Sequence, residues 1–193
     1  MKISESKISF IRSFIQDSEF HFDLAKTFSS TVPQYRENIR THLLDKYSAH
    51  FNRTQLAQLS DLNIIPKASQ GFFSISHCHS GGGFSYSQLP HGFDIEAIGR
   101  ISVPVLNRTS SESERSAAPD IKFLWVAKEA AYKAHSTEKN KLIMTDLVCE
   151  KWRSHPETHI HSFRITSEKT LDTKLNTGFV FSEEDVHLAV YFR

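Results

Sequence analysis

The sequence predicts an α+β protein with two similar lobes, each formed by a helix packed on a small antiparallel sheet. Two observations lead to this prediction: a helix-forming segment followed by strand-forming segments occurs twice along the chain, and the strand segments alternate apolar with polar residues. We expect the N-terminal lobe to span residues 1–97 and the C-terminal lobe residues 98–193, with the junction near residues 90–105. The halves share no repeat at the level of residues, so their symmetry rests on the order of elements alone.

The N-terminal half begins with a helix predicted after Pro33, which suits a first helical turn. Apolar side chains recur there at spacings near 3.6 residues, at Tyr35, Ile39, Leu43, Leu44 and Tyr47, in a segment that runs on to Leu62. Phe73 and Ile75, and after the glycines Phe84 and Tyr86, then alternate with small or polar residues in the manner of a β-hairpin, with its turn at the glycines 81–83. A third strand is expected through Phe93 and Ile95.

The C-terminal half contains the strongest helix prediction, over the segment IKFLWVAKEAAYKAHS at residues 121–136, which has a broad apolar face and no Gly or Pro. Residues 107–120 before it are polar and of mixed charge, and we expect a connecting loop with a short helical turn. Beyond the helix, four segments alternate with period two, namely DLVCEKW, THIHSFRIT, NTGFVFS and VHLAVYFR. They predict an antiparallel meander.

Composition excludes several classes of protein. The formal charge of +1 gives no whole-molecule attraction to nucleic acid or to an anionic membrane. Cys78 and Cys149 are too few for a secreted disulfide framework and form no CxxC metal motif. No segment has the roughly 20 apolar residues of a membrane span, and the N-terminus lacks the apolar run of a signal peptide. We therefore expect a cytoplasmic protein with no nucleic-acid or membrane partner.

A first candidate site is the segment GFDIE at residues 92–96. Side chains two apart on a strand project from the same face, so Asp94 and Glu96 would present two carboxylates side by side. Such like charges raise each other's pKa unless a cation neutralises them, and oxygen ligands suit magnesium. The alternative is a strand with a solvated acidic face.

A second candidate lies on the predicted helix, in the segment WVAKEAAYK at residues 125–133. Trp125, Glu129 and Lys133 share one helical stripe, with Lys128 beside them. Glu129 could supply a third carboxylate and Lys133 a cation for a phosphate. The alternative is that Glu129 and Lys133 form an ordinary helix-stabilising pair, worth about 0.2–0.5 kcal/mol.

A third candidate is the segment SISHC at residues 74–78. The Ser76 hydroxyl and the His77 ring can bind phosphate, and a glycine-rich turn lets backbone N–H groups approach an anion. A zinc site of His77, Cys78, His79 and His91 is a weaker alternative, since the spacing matches no standard zinc motif. The glycines could also form a hairpin turn and nothing more.

The succession SISHC, GFDIE and FLWVAKEAAYK resembles the signature of the 4′-phosphopantetheinyl transferase superfamily. In that family an S-H pair, a G-x-D-x-E and a W-x-x-K-E-A-x-x-K follow one another. The resemblance covers residues 73–134 closely and implies the single-chain fold of two lobes in pseudo-twofold arrangement, with the active site at their junction. It implies transfer of the phosphopantetheine arm of coenzyme A to a serine of an acyl or peptidyl carrier protein, with release of adenosine 3′,5′-bisphosphate.

The resemblance also implies roles for individual residues. Asp94, Glu96 and Glu129 would hold Mg²⁺, with Glu129 also a general base. Lys128 and Lys133 would bind the pyrophosphate of coenzyme A, and Ser76 and His77 would bind its 3′-phosphate. Further basic residues of the N-terminal lobe would also bind coenzyme A, and Arg40 and Lys67 are preferred for this role over Arg36 and Arg53. Trp125 would anchor the helix in the core. The partner would be an acidic, helical carrier protein, and the enzyme itself a monomer.

The sequence departs from the family pattern in one respect. Asp94 and Glu129 are 35 residues apart, fewer than is usual, so the loop at 101–120 is shortened and the acceptor-binding surface is left open. Two other classes of protein remain as alternatives: a non-catalytic relative that binds coenzyme A or a carrier protein, and an unrelated zinc-binding or structural α+β protein.

Overall fold

The computed structural model describes residues 1–54, 71–135, 142–167 and 174–193, and these form an α+β fold of helices and two antiparallel sheets. The strands of the smaller sheet are β1 (His21–Ala25), β2 (Phe72–Cys78) and β3 (Gly81–Ser87), in the order β1-β3-β2. Those of the larger sheet are β4 (His91–Ala97), β5 (Val148–His155), β6 (Ile160–Thr166), β7 (Thr177–Glu183) and β8 (Val186–Phe192), in the order β4-β8-β7-β6-β5.

The α-helices in the described ranges are α1 (Glu5–Ile15), α2 (Tyr35–Tyr47), α3 (Val103–Thr109), α4 (Glu112–Ala117) and α5 (Ile121–His135). Short 3₁₀ turns occupy Lys26–Phe28, Ser48–His50 and Met144–Asp146. None of these helices combines the length and apolar character needed to cross a bilayer.

Apolar burial assigns each long helix to a sheet. On α2, Ile39 and Leu43 are buried against Phe84 of the smaller sheet. The alanine-rich face of α5 packs on one face of the larger sheet, where Ala189 and Tyr191 are fully buried. The opposite face of that sheet is covered by α1 and by apolar side chains of β1. One apolar core therefore joins the two sheets.

The strand predictions are confirmed for the C-terminal meander and for the hairpin, but the position of the hairpin turn is wrong. Strand β2 ends at Cys78 and β3 begins at Gly81, so the glycines belong to the strand. Gly83 has a φ of +148°, and a side chain there would overlap the Asp23 carbonyl oxygen of β1. The glycines thus allow two strands to approach closely.

Other elements differ from the sequence prediction. The expected third strand exists as β4, but it pairs with β8 of the larger sheet instead of β3. The expected loop at 107–120 contains the end of α3 and all of α4, whose Ser111 forms a capping box with Glu114. Both α1 and β1 were absent from the prediction.

Candidate functional site

A cavity of about 460 Å³ opens between α2, β2, β4 and α5. Its volume lies in the range of small-molecule sites. The residues that line it come from all three candidate segments and from α2: Arg36, Ile39, Arg40, Ile75, Ser76, His77, Asp94, Ile95, Glu96, Trp125, Glu129 and Lys133. The cavity therefore brings together most of the site residues that the sequence predicts.

Local geometry explains how the carboxylates meet. Asp94 and Glu96 are two apart on β4 and both face the cavity, as the strand period requires. Gly92 lies one strand period before Asp94, and a side chain there would overlap the Ala130 carbonyl oxygen of α5. The missing side chain allows α5 to pack against β4, which brings Glu129 to the same cavity.

The centre of the cavity is a hydrogen-bonded cluster of Ser76, Asp94 and Lys133. The Lys133 ammonium donates to Asp94 Oδ1 at 2.7 Å, to Ser76 Oγ at 2.8 Å and to the Phe93 carbonyl oxygen at 3.2 Å. The Ser76 hydroxyl in turn donates to Asp94 Oδ1 at 2.8 Å. One residue from each of three separated segments thus contributes to a single polar network.

Two serines of β2 also connect the sheets. The Phe93 N–H donates to Ser74 Oγ at 2.8 Å, and the Ile95 N–H donates to Ser76 Oγ at 3.3 Å. Side-chain hydroxyls therefore accept hydrogen bonds from backbone N–H groups of β4, which is the edge strand of the larger sheet. They fix β2 beside β4 at the floor of the cavity.

The carboxylates of the cavity share one electrostatic field. Burial raises the pKa of Glu129, and the charges of Asp94 and Glu96 raise it further, against an opposing effect of Lys133. Burial likewise raises the pKa of Glu96; a hydrogen bond from the Ala97 N–H opposes this, and the charge of Asp94 adds to it. Such mutual destabilisation of negative charge favours a cation in the cavity.

The opposite wall of the cavity is cationic. Arg36 and Arg40 lie one helical turn apart on α2, and Arg40 is only 7% exposed. Burial lowers the pKa of His77, as do the charges of Arg36 and Lys133. The His77 ring packs edge-on against Tyr35, with the ring centroids 4.5 Å apart. Neutral His77 can donate one hydrogen bond, and the arginines can pair with phosphate oxygens.

The cavity offers a donor set that suits Mg²⁺. Asp94, Glu96 and Glu129 supply carboxylate oxygens, the ligands that hard cations prefer. Within the described ranges, no three His, Cys, Asp or Glu side chains are gathered closely enough to hold an ion. In this arrangement Asp94 Oδ1 is instead engaged by Lys133 and Ser76. The chemistry of the three side chains fits a magnesium ion.

The structure corrects the expectation for Lys128. Its side chain is completely buried, and its ammonium lies 2.7 Å from Glu114 Oε1 of α4, outside the cavity. The same Glu114 oxygen accepts a hydrogen bond from the Cys149 N–H at 2.9 Å. Lys128 therefore joins α5 to α4 and β5, and it cannot contact a ligand in the cavity.

The remaining predicted residues have varied positions. Lys67 lies outside the described residues. Arg53 is exposed and does not line the cavity, whereas Arg36 does. Trp125 lines the cavity as well as packing against the core. Both ring nitrogens of His91 are engaged, by Ser85 and the Leu89 carbonyl, which leaves none for the alternative zinc site.

Sequence reasoning missed or undervalued two residues. Ser74 was passed over, although its spacing of two from Ser76 on one strand was the signal that both hydroxyls face β4. Arg36 was ranked below Arg40, although a spacing of four on α2 places both on one face.

No protein-family model matches the chain, and no curated protein matches it significantly.

Proposed function

We propose that the protein transfers the 4′-phosphopantetheine group of coenzyme A to a serine of an acyl or peptidyl carrier protein in a magnesium-dependent reaction. The observation that supports this most is the convergence of three separated segments on one cavity. Ser76, Asp94 and Lys133 come from those segments and are mutually hydrogen-bonded. Carboxylates on one wall and arginines on the other suit a substrate with phosphate groups and a bound cation.

The proposal includes the two-lobed architecture. One lobe would be α2 with the smaller sheet, and the other would be α5 with the larger sheet, related by a pseudo-twofold axis. Strand β4 precedes the expected boundary at residue 97 but pairs with β8, so strand pairing crosses that boundary. The cavity lies where the two helices and the two sheets meet.

Substrate binding is assigned to the cationic wall. Arg36 and Arg40 would pair with phosphate oxygens of coenzyme A, and His77 would donate a hydrogen bond to its 3′-phosphate. Asp94, Glu96 and Glu129 would hold magnesium, which supplies charge neutralisation at the pyrophosphate. Lys133 would contribute a further positive charge to the same oxygens.

The chemical step is an in-line displacement at the phosphorus that bears the pantetheine arm. The serine oxygen of the carrier protein forms a bond to this phosphorus, and the bond to the bridging oxygen breaks. Adenosine 3′,5′-bisphosphate leaves with that oxygen. Glu129 would accept the serine proton, directly or through a water. Since one chain supplies this cavity, we expect a monomer to be active.

The test compares Glu129→Gln and Asp94→Asn with Glu157→Gln, an exposed carboxylate on the β5–β6 turn that receives the same chemical change. Loss of either cavity charge should reduce transfer by on the order of a hundredfold or more, because each variant removes a cation ligand at nearly constant volume. Transfer is measured as the mass gained by a purified carrier protein, with circular dichroism to verify the fold.

Two outcomes would contradict the proposal. Near-normal transfer by either cavity variant at limiting magnesium would exclude these carboxylates as cation ligands. Binding of coenzyme A by the wild-type protein without any transfer to carrier proteins would instead favour the non-catalytic relative.

A further inference from the structure

The Lys133 ammonium is paired with Asp94, a carboxylate that the proposed function assigns to a divalent cation. Its acceptors include Asp94 Oδ1, Ser76 Oγ and the Phe93 carbonyl oxygen. The arrangement places a positive charge against the most buried of the three cavity carboxylates. A lysine in this position balances charge that would otherwise be uncompensated inside the cavity.

Asp94 Oδ1 already accepts two hydrogen bonds, one from Lys133 at 2.7 Å and one from Ser76 at 2.8 Å. A carboxylate oxygen offers about two lone-pair sites. An ion that coordinates this oxygen must therefore replace one of the two donors. Electrostatic repulsion selects Lys133, because a divalent cation and an ammonium cannot share one oxygen without a large Coulombic cost.

Lys133 is also the partner that can move. Its side chain is 30% exposed, compared with 9% for Asp94, so it has access to the open side of the cavity. Its flexible four-carbon stem allows the ammonium to change position without movement of α5. Ser76, in contrast, is 5% exposed and also accepts a hydrogen bond from the Ile95 N–H, which holds it against β4.

We propose that Lys133 is an internal counter-ion, which holds Asp94 while the site is cation-free and is displaced toward the substrate phosphates when a divalent cation takes its place. This inference rests on the proposed function for the identity of the cation and of the phosphates. Under this proposal, the Lys133 ammonium reaches the substrate phosphates only after a divalent cation has bound. Ser76 keeps Asp94 oriented in both states and is thus a positioning residue for this carboxylate.

The test measures the affinity for Mg²⁺ by calorimetric titration, without coenzyme A, for the wild-type protein and Lys133→Met. Methionine retains the apolar stem and removes the competing charge, so Mg²⁺ should bind on the order of tenfold more tightly, the equivalent of one charge-assisted hydrogen bond. Lys122→Met is the matched control, since Lys122 is on the same helix and outside the cavity. It should leave the affinity within about twofold of the wild type.

A second measurement keeps the proposal testable if Lys133→Met does not fold. In the wild-type protein, the ¹⁵N resonance of the Lys133 ammonium should shift when Mg²⁺ is added without coenzyme A, and that of Lys122 should not. Equal or weaker Mg²⁺ binding by Lys133→Met, an unmoved Lys133 resonance at saturating Mg²⁺, or no Mg²⁺ binding to either protein would each overturn the proposal.

Neither measurement depends on transfer. Displacement of Lys133 without transfer to any carrier protein would leave the counter-ion role intact and contradict the proposed function. Transfer by the wild-type protein, together with an Mg²⁺ affinity that is unchanged in Lys133→Met, would support the proposed function and contradict the counter-ion role.

Discussion

His77 is the residue for which a structural role and a ligand-binding role lead to the most clearly different expectations. It packs against Tyr35, and its pKa is lowered by burial and by Arg36 and Lys133. A purely structural histidine would need only the contact with Tyr35. Lys133 is paired with Asp94, and Arg36 donates to the Tyr35 hydroxyl, so the charges near His77 do not decide between the two interpretations.

This difference leads to a prediction for His77→Ala. If His77 donates a hydrogen bond to the 3′-phosphate, the variant should lose on the order of tenfold to a hundredfold in kcat/KM with coenzyme A. It should be almost unchanged with 3′-dephospho-coenzyme A, which lacks the group. The loss should fall mainly on KM, since the 3′-phosphate is remote from the bond that breaks.

The control for this prediction is His79→Ala, an exposed histidine of the β2–β3 turn that does not line the cavity. It should leave the ratio of the two coenzymes unchanged. Equal impairment of His77→Ala with both coenzymes would show that His77 serves the fold or the chemical step.

At the residue scale, the sequence predicts which side chains carry the site better than it predicts their contacts. Spacing placed Asp94 with Glu96 on one strand face and Glu129 with Lys133 on one helical stripe, and the family resemblance predicted that the two pairs share a site. All four line one cavity. Spacing did not suffice for Lys128, because adjacent positions on a helix differ by about 100° in direction. The partner of Lys128, Glu114, is 14 residues earlier on another helix, so only the tertiary structure could reveal their ion pair.

At the scale of elements, the packing of α5 on β4 depends on one glycine. A Cβ on Gly92 would overlap the Ala130 carbonyl oxygen and come too close to the Ala134 N–H. Backbone atoms of a helix cannot move aside as a flexible side chain can. The glycine of the GFDIE segment is therefore required by helix packing, and it sets the distance between the carboxylates of β4 and that of Glu129 on α5.

We expect Gly92→Ala to damage both stability and the site. Overpacking of a well-packed contact costs about 1–3 kcal/mol, and the displaced helix should also weaken Mg²⁺ binding. Gly99→Ala is the matched control, because the space around Gly99 is open. It should change the free energy of unfolding by less than about 0.5 kcal/mol. Urea denaturation and magnesium titration are the measurements, and equal stability of the two variants would contradict this account.

Local patterns were sufficient for α5 and the strands of the meander, whose apolar periods are set by the side of each element that is buried. They predicted the existence of α2 but not its end at Tyr47, since the predicted segment runs on to Leu62. They were insufficient for α1, where the buried face includes Lys7. The Lys7 ammonium lies 2.7 Å from Glu183 Oε1 and is paired across the fold. A charged residue on an apolar face hides the helical period, and its partner is 176 residues away.

At the scale of the whole molecule, the partition into two sheets could not be deduced from local sequence. Strands β3 and β4 are separated by a short turn, and such neighbours commonly pair. Instead β4 pairs with β8, close to the other end of the chain, and its N–H groups donate to the hydroxyls of Ser74 and Ser76 on β2. This arrangement leaves room for the cavity beside β4, which a continuous hairpin sheet would have closed.

The stability of the molecule should depend on pH through His91, a buried residue of β4 that contacts Phe20, Ser85 of the smaller sheet and Phe192 of the larger sheet. Its Nδ1 lies 3.1 Å from the Leu89 carbonyl oxygen, which can only accept, so Nδ1 carries the proton and Nε2 accepts from the Ser85 hydroxyl at 2.7 Å. Both ring nitrogens are satisfied by the neutral form. Burial lowers the pKa of His91 to about 4, against an opposing effect of the hydrogen bonds to Leu89 and Ser85 and of the charge of Asp17.

The sign of the pH dependence follows from proton binding in the two states. Between pH 6.5 and about 4 the unfolded chain binds a proton at His91 that the folded protein does not, so stability falls as the pH falls. From pH 7 to pH 5 the expected loss in the free energy of unfolding is about 2 kcal/mol.

The raised pKa values of Glu96 and Glu129 act in the opposite direction, so the comparison needs a variant that differs at His91 alone. His91→Gln keeps hydrogen-bonding groups without titrating, and it should lose about 2 kcal/mol less than the wild type over this interval in urea denaturation at each pH. Equal losses in the two proteins would mean that His91 binds its proton as readily in the folded protein as in the unfolded chain, and that burial does not lower its pKa.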